Sequence, residues 1–133
     1  MGLDFRKRLD KGALVCDGAM GTYLNQKGIS YARSLDELCL SEPKLIGEIH
    51  REYIQAGAEI IETNTFGGNR FRLAGHGLAD KVRDINLAGA KIAREAREIS
   101  GPDVFVGGSI GPLGKPIEPL GKISIENARN AFI

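Results

Sequence analysis

Three short apolar runs, each ending in polar residues and glycine, constrain the fold more than any other feature of the sequence. The first apolar run is ALVC, and DGAMGT follows it. The second is II, followed by ETNTFGG, and the third is VFV, followed by GGSIG. A short apolar run bounded by such turn residues is typical of a buried β-strand. The runs recur at nearly equal spacing, so we predict three strands that each end in small and polar residues.

Helical patterns separate the predicted strands. Apolar residues recur at helical spacing from Pro43 to Gly57, with Ser41 as the expected N-cap and His50 on the apolar stripe as a packed or hydrogen-bonded side chain. A longer stripe over Asp80–Ile99 predicts the largest helix. Ser124 is expected to cap a last helix that continues to the chain end.

Shorter elements are predicted from local patterns. We expect short helices over Leu3–Leu9 and Asn69–Ala74, and a loop with one helical turn at most over Tyr23–Ala32. Ser34 and Glu37 have the spacing of a capping box, which would begin a further short helix.

Alternating strands and helices imply parallel strands joined by right-handed crossovers. An eight-unit barrel and an open doubly wound sheet both satisfy this pattern, and both place ligands at the carboxyl ends of the strands. Such a barrel needs about 250 residues. We therefore predict an α/β fold in which residues 1–133 form the first half of a (β/α)8 TIM barrel, a partial domain of about three β/α units.

Composition excludes several classes of function. The formal net charge is +1, which gives no reason to expect nucleic acid or an anionic membrane as a partner. No apolar run reaches the roughly 18 residues of a membrane helix, and the N-terminal residues lack the apolar centre of a signal peptide. Two cysteines in unlike contexts favour a reducing compartment, so we expect a cytoplasmic protein.

Asp17 is the sharpest candidate for a ligand contact. A carboxylate that ends a buried strand can bind a substrate ammonium group or accept a proton. The amides of Gly18, Ala19, Met20 and Gly21 could bind a carboxylate as a backbone nest does, so the segment would suit a zwitterionic amino acid. The alternative, that Asp17 only caps its own turn, stays open at this point.

Asn64 and Thr65 end the second predicted strand, where both can donate and accept hydrogen bonds. Glu62 shares the strand parity of Asn64, so both are expected on one face. The loop GGSIGPLG does not match a phosphate-binding loop, because the required first glycine is Ser109 and the required final Ser or Thr is Pro116.

Metal binding has little support in these residues. No pair of Cys or His has the spacing of metal ligands. Cys16 lies one place before Asp17, with its side chain expected to face away from it, and Cys39 lies near a helix end. Each is expected to be a packed small apolar residue. We predict no metal ligand in this chain.

Four segments in order resemble the start of bacterial homocysteine S-methyltransferase domains: ALVCDGAMGT, EIHREYIQAGAEIIETNTFGGNRFRL, HGLADKVRDIN and GGSIGPLGKPIEPLG. Such domains occur at the front of cobalamin-dependent methionine synthase. They also occur in bifunctional proteins with a methylenetetrahydrofolate reductase domain. The amino-acid sequence of the last two segments is most similar to that second group. The resemblance extends from Leu14 to about Phe132.

The resemblance implies a (β/α)8 barrel that binds homocysteine and transfers a methyl group to its zinc-activated thiolate, giving methionine. The methyl donor would be a sulfonium, methylfolate or methylcobalamin. Residues of this chain that match the family's substrate-binding segments are Asp17, Gly18, Ala19, Met20, Asn64, Thr65, Phe66, Ser109 and Gly111. No residue is assigned a catalytic role.

The family's three zinc cysteines follow later strands, and neither Cys16 nor Cys39 matches them. We therefore expect the zinc ligands beyond residue 133, possible reductase, cobalamin or folate domains downstream, and no activity from this chain alone. Two alternatives belong to other classes. A partial barrel could serve as a non-catalytic binding or assembly module, because open sheet edges favour pairing. A phosphate-handling barrel enzyme is disfavoured by the failed loop and the neutral charge.

Overall fold

The computed structural model describes residues 4–133, so Leu3, the predicted start of the first helix, lies outside the described residues. Within that range four helices precede the first strand, and helical segments then alternate with strands. Their order is α1 (Phe5–Leu9), α2 (Gly21–Gln26), α3 (Leu38–Ser41), α4 (Pro43–Gln55), β1 (Ile60–Glu62), α5 (Arg70–Ala74), a 3₁₀ turn (Ala79–Lys81), α6 (Val82–Ser100), β2 (Phe105–Gly107) and α7 (Ile125–Asn130).

The sheet is small and parallel. Strand β1 pairs with β2 in parallel, with Ile61 opposite Val106. The predicted first strand, residues 13–16, forms only one parallel bridge, from Cys16 to Ile60. Val15 is 60% exposed, so the prediction of a buried first strand was wrong. Among the described residues no strand pairs with the outer edge of this segment. Its inner edge bonds to Glu59 and Ile60, and the Arg8 guanidinium donates to the Ala13 carbonyl at 3.3 Å.

Helices α4 and α6 cover one face of the sheet. The cluster between them and the strands contains Ile54, Ala58, Ile61, Ala93 and Ala96. A second cluster, formed by Leu24, Leu38, Cys39, Ile46, Ile49 and Ile92, joins α2 and α3 to the same two helices. On the opposite face Glu62 is exposed, and the Phe105 ring meets Phe5 of α1 edge-to-face at 5.2 Å between centroids. The sheet is therefore covered by helices on one side and largely open on the other.

The helices follow the sequence with five differences. The helix predicted from the Ser34–Glu37 capping box begins only at Leu38, although the Glu37 amide donates to Ser34 Oγ at 3.4 Å. Pro43 begins α4 as expected, but Ser41 does not cap it, because its hydroxyl donates to Glu37 at 3.0 Å within the preceding turn. Glycine at position 21 begins α2, in a stretch predicted mainly as loop. The apolar stripe of α6 fails at its last member, since Ile99 is 71% exposed. Ser124 caps α7 as predicted, but that helix ends at Asn130.

His50 lies on α4 and is fully buried. Its position on the apolar stripe was predicted, but neither ring nitrogen has a hydrogen-bond partner among the described residues. Burial alone lowers the pKa of His50 from 6.5 to about 4, because the charged imidazolium would lose its hydration there. The histidine is therefore neutral at pH 7.

No helix in the described part of the chain is both long and apolar enough to cross a membrane.

His50 makes the fold sensitive to acid. The unfolded chain takes up a proton near pH 6.5 and the folded chain only near pH 4, so stability falls as pH falls through this window. The loss should reach about 3 kcal/mol below pH 4. We expect His50→Leu to remove most of this dependence in urea unfolding measured at pH 7, 6, 5 and 4. The exposed His76→Leu serves as control and should leave it unchanged; an equal pH slope in the wild type and His50→Leu would contradict the assignment.

Candidate functional site at the strand ends

The three predicted strand ends meet at one edge of the sheet. The Asp17 amide donates to the Ile60 carbonyl at 2.9 Å, which aligns the first segment with β1. The Thr63 amide donates to the Gly107 carbonyl at 2.9 Å, which aligns the end of β1 with the end of β2. Because all the pairings are parallel, the loops that follow Asp17, Glu62 and Gly107 leave the sheet on the same side.

Asp17 is tied to the neighbouring strand and not to its own turn. Its Oδ2 accepts a hydrogen bond from the Glu62 amide at 3.0 Å, and its Oδ1 accepts from the Cys16 thiol at 3.4 Å. Partial burial raises the pKa of the Asp17 carboxyl, and the Glu62 amide opposes that rise. The pKa of Cys16 is raised first by desolvation and then by the hydrogen bond to Asp17. The expectation that Cys16 is packed and faces away from Asp17 was wrong, since the thiol is exposed and contacts that carboxylate.

The segment after Asp17 is held by Tyr53 of α4. The Tyr53 hydroxyl donates to the Ala19 carbonyl at 2.6 Å, and a Cβ at Gly18 would lie 3.2 Å from the same hydroxyl oxygen. Desolvation and the charge of Asp17 raise the pKa of Tyr53, so it remains a hydrogen-bond donor. Within residues 4–133 the amides of Gly18, Ala19 and Met20 have no hydrogen-bond partner. Three neighbouring donors are thus available beside a carboxylate.

Asn64 is buried, and its side chain connects β1 to the loop before α3. Its Nδ2 donates to the Leu35 carbonyl at 2.7 Å and lies 3.6 Å from the Cys39 sulfur. The Cys39 thiol donates in turn to the Asn64 carbonyl at 3.3 Å, and burial raises its pKa to about 11. The shared face predicted for Glu62 and Asn64 is not found, because the chain bends after β1 and Glu62 stays exposed.

A closed circuit of hydrogen bonds joins the ends of β1 and β2. The Ser109 amide donates to Thr63 Oγ1 at 3.0 Å, and Thr65 Oγ1 donates to the Ser109 carbonyl at 2.8 Å. The two threonine hydroxyls are 2.7 Å apart. Since the Thr65 proton is used on Ser109, Thr63 must donate to Thr65. Both threonines are buried, so the circuit fixes the third loop with its polar groups satisfied.

Phe66 and Gly111 bring the second and third loops into direct contact. The Gly111 amide donates to the Phe66 carbonyl at 3.0 Å. A Cβ at Gly111 would collide with that carbonyl and lie 3.0 Å from the Phe66 ring, so only glycine fits this approach. The Phe66 ring itself is 54% exposed and stands between two clefts.

The nine predicted residues do not share one cavity. A cleft of about 670 Å³ includes Met20, Asn64 and Phe66. A second of about 570 Å³ includes Thr65, Phe66, Ser109 and Gly111. Asp17 and Gly18 line neither of these two clefts, although they lie at the same edge of the sheet. The structure thus brings the strand ends together but distributes their side chains around that edge.

The cysteines and acids of the chain do not form a zinc site. Within the described residues no group of three or more His, Cys, Asp or Glu side chains could hold a metal ion. The two thiols already contact Asp17 and Asn64, and both have raised pKa values, which disfavours the thiolate that zinc requires. The residues present therefore do not fit a zinc ion.

The family relationship is clear from comparison with known proteins. A family model described as homocysteine S-methyltransferase matches residues 14–133. The chain belongs to this family. It is 38% identical to methionine synthase of Mycobacterium leprae over 97% of its length, and 38% identical to that of Mycobacterium tuberculosis over 93%.

The similarity extends to solved structures of the family. The homocysteine methyltransferase MmuM from Escherichia coli, in its metallated form, superposes with a TM-score of 0.71 at 32% identity over 82% of this chain. The oxidized form gives 0.70 at 34% identity. The chain spans 41% of the length of each MmuM chain and 11% of each mycobacterial methionine synthase. It corresponds to a part of these relatives.

Sequence reasoning missed three residues at this edge of the sheet. Thr63 was not predicted as a site residue. Thr65, two places further along the chain, could have indicated that the two hydroxyls pair. Tyr53 lies within the apolar stripe predicted for residues 43–57, and nothing local indicates that its hydroxyl reaches Ala19. Asp36 lies between Ser34 and Glu37 of the predicted capping box, and its Oδ1 accepts from the Gly67 amide at 2.8 Å.

The threonine circuit makes a prediction for stability. Thr63→Val keeps the shape but leaves the Ser109 amide without its partner, which should cost about 1–3 kcal/mol of unfolding free energy. Urea unfolding followed by circular dichroism measures this. Thr63→Ser restores the hydroxyl and should recover most of the loss, and Thr22→Val on the exposed side of α2 should change little. A Thr63→Val variant as stable as wild type would show that the circuit contributes nothing.

Proposed function

We propose that this chain forms the homocysteine-binding part of a methyltransferase that converts homocysteine to methionine. The observation that carries the proposal is Asp17, which lies at the strand ends beside three amides without partners among the described residues. A carboxylate next to free N–H groups complements an amino acid, whose ammonium and carboxylate groups are adjacent. Membership of the family supplies the reaction class.

In this proposal each part of the amino acid has a partner. Asp17 binds the ammonium group, and the amides of Gly18, Ala19 and Met20 bind the carboxylate. The residues near the ends of β1 and β2, including Asn64, Thr65, Phe66, Ser109 and Gly111, shape the space for the thiol-bearing chain. The homocysteine thiol loses its proton to water, its sulfur bonds to the donor's methyl carbon, and the donor leaves with the electron pair of its former bond to that carbon. The choice among a sulfonium, methylfolate and methylcobalamin as donor is made by other segments.

No residue of this chain is proposed as a ligand of the family's zinc ion. Because Cys16 and Cys39 do not fit the ion, we place its ligands beyond residue 133, on later strand ends. Reductase, cobalamin or folate domains would likewise lie outside residues 1–133. The role of this chain is to bind and orient the amino-acid end of homocysteine.

We also propose that the chain is the first half of a (β/α)8 barrel, with residues 1–133 as one partial domain. Successive strands are direct neighbours in the order first segment, β1, β2, and the large helices α4 and α6 lie on one face. That order supports a barrel, in which each strand pairs with the next. The opposite face, carrying Ile60, Glu62 and Phe105, would become the barrel interior.

Exposed apolar side chains predict how the chain behaves alone. Val15, Ile110 and Phe132 are exposed apolar side chains near the sheet and its loops, at 60%, 80% and 48%. Without further strands we expect association without fixed stoichiometry, measured by light scattering after size exclusion. A discrete dimer that protects the amides of residues 13–17 from hydrogen exchange would instead support the non-catalytic assembly module.

The amino-acid site predicts the effect of removing Asp17. In Asp17→Ala the dissociation constant for homocysteine should rise about tenfold or more, because a charge-assisted hydrogen bond is lost. Titration of the full-length enzyme with this segment ¹⁵N-labelled, followed at the Gly18, Ala19 and Met20 amides, measures it, and the zinc content of the variant should stay near normal. Asp10→Ala, at an exposed acid after α1, is the control and should bind as wild type does.

A ligand variant tests the amide contacts separately. The thiol amine 3-aminopropane-1-thiol has the ammonium and thiol groups but no carboxylate. It should leave the Gly18–Met20 amide shifts nearly unchanged while still depending on Asp17. Equal homocysteine affinity in wild type and Asp17→Ala, at unchanged stability, would refute the proposed substrate site.

A further inference from the structure

The peptide unit between Ala19 and Met20 is held at one end and free at the other. Its carbonyl oxygen accepts a hydrogen bond from the Tyr53 hydroxyl at 2.6 Å. Its N–H, which belongs to Met20, has no hydrogen-bond partner among the described residues. The peptide bond is trans, since the cis bond in the described part of the chain is Glu118–Pro119. The C=O and N–H of a planar trans peptide point in opposite directions, so the Met20 N–H points away from Tyr53.

Tyr53 reaches this carbonyl from a defined position on α4. Its ring meets Tyr23 of α2 edge-to-face, with centroids 6.1 Å apart and an interplanar angle of 82°. The ammonium of Lys27, the residue after α2, lies 5.0 Å from the centre of the Tyr23 ring and 3.2 Å from Glu52 Oε1 on α4. Contacts between α2 and α4 therefore orient the ring whose hydroxyl bonds to Ala19.

The absence of a side chain at Gly18 allows the close approach of Tyr53. A Cβ at position 18 would lie 3.2 Å from the Tyr53 hydroxyl oxygen and 3.4 Å from its Cε1. The first distance is shorter than an optimal contact between non-bonded heavy atoms, so an added methyl group would push the hydroxyl away. Gly18 is not among the glycines with positive φ, so the contact with Tyr53, and not the backbone conformation, favours glycine here.

A hydrogen bond to the carbonyl also strengthens the N–H of the same peptide unit. It draws electron density toward the carbonyl oxygen, and linked hydrogen bonds polarise one another in this way. Desolvation and the charge of Asp17 raise the pKa of Tyr53, so its hydroxyl keeps the proton that it donates. A carboxylate bound to the Met20 amide would complete a chain of hydrogen bonds that begins at Tyr53.

We propose that Tyr53 is a positioning residue that sets the affinity of the site for the carboxylate of the amino acid. It acts through the Ala19–Met20 peptide, whose N–H it orients and polarises, without contacting the substrate itself. The inference rests on the proposed function, in which the amides of residues 18–20 bind the carboxylate and Asp17 binds the ammonium group. Selection of an amino acid over a simple amine then depends on helix α4 as well as on the strand ends.

Two ligands and one isosteric substitution test this role in the full-length enzyme. Tyr53→Phe keeps the ring that packs on Tyr23 and removes the hydroxyl. The dissociation constant for homocysteine should rise about fivefold, because a charge-assisted hydrogen bond loses its support. The constant for 3-aminopropane-1-thiol, which has no carboxylate, should change less than about twofold. A merely structural role would weaken the binding of both ligands by the same factor.

Tyr23→Phe is the matched control. Within the described residues Tyr53 is the tyrosine whose hydroxyl donates a hydrogen bond, so Tyr23→Phe removes a hydroxyl without a partner there and should bind both ligands as wild type does. Steady-state kinetics of Tyr53→Phe should show a raised KM for homocysteine with kcat near that of wild type, because only binding is weakened. Urea unfolding of both variants confirms that the fold is retained.

Gly18→Ala tests the same contact from the other side. Alone it should displace the Tyr53 hydroxyl and raise the dissociation constant for homocysteine. In the Tyr53→Phe background the hydroxyl oxygen is gone, so the added methyl group should cause little further loss. Additive losses in the double variant would show that position 18 acts independently of Tyr53, which contradicts the inference.

The two ligands also separate failure of this inference from failure of the proposed function. If wild type does not distinguish homocysteine from the thiol amine, the proposed carboxylate site is refuted and this inference with it. If wild type distinguishes them and Tyr53→Phe does so equally well, only the role of Tyr53 is refuted. A selective loss of homocysteine affinity in Tyr53→Phe, with Tyr23→Phe unchanged, supports both.

Discussion

Parallel pairing of consecutive strands is the constraint on which the rest of the structure depends. Each pairing is short: one bridge from Cys16 to Ile60 and three residue pairs between β1 and β2. Yet parallel pairing in chain order brings every loop that follows a strand to the same edge. Asp17, the threonines after β1 and Ser109 become neighbours for this reason, although they are far apart in sequence. The side-chain contacts at that edge then stabilise an arrangement that the strand pairing determines.

Because the sheet is buried on only one face, the side covered by helices is well packed and the other side is exposed. Helices α4 and α6 seal the side of the sheet that carries Ile61, and the two core clusters account for most of the fully buried apolar residues. The first segment has a partner on one side only, and its Val15 is exposed. Packing therefore increases toward the helices, while the segment that ends at Asp17 has a strand partner on one side only.

The sequence predicted those parts of the molecule that depend on local periodicity. Helices α4 and α6, the Ser124 cap and the second and third strand ends all follow from spacing and capping residues. It failed where a long-range contact decides the outcome. Exposure of Val15 depends on a missing neighbour, and the contact of Tyr53 with Ala19 depends on how α4 packs beside the first loop. The family resemblance gave the candidate residues, but only coordinates show that Asn64 holds Leu35 while Met20 and Phe66 line a cleft.

The hydrogen bonds of Asp17 show how one carboxylate can serve both the fold and a ligand. Oδ2 is held by the Glu62 amide, which orients the group across two strands. Oδ1 is bonded to the Cys16 thiol, a weak donor at 3.4 Å. An ammonium group is a much stronger donor and carries the opposite charge, so it can replace the thiol without disturbing Oδ2. Partial burial, which raises the pKa of this carboxyl, also strengthens its attraction to a cation that reaches it. The hydrogen bond to Glu62 thus preorients the oxygen that would bind the ammonium group of the proposed substrate.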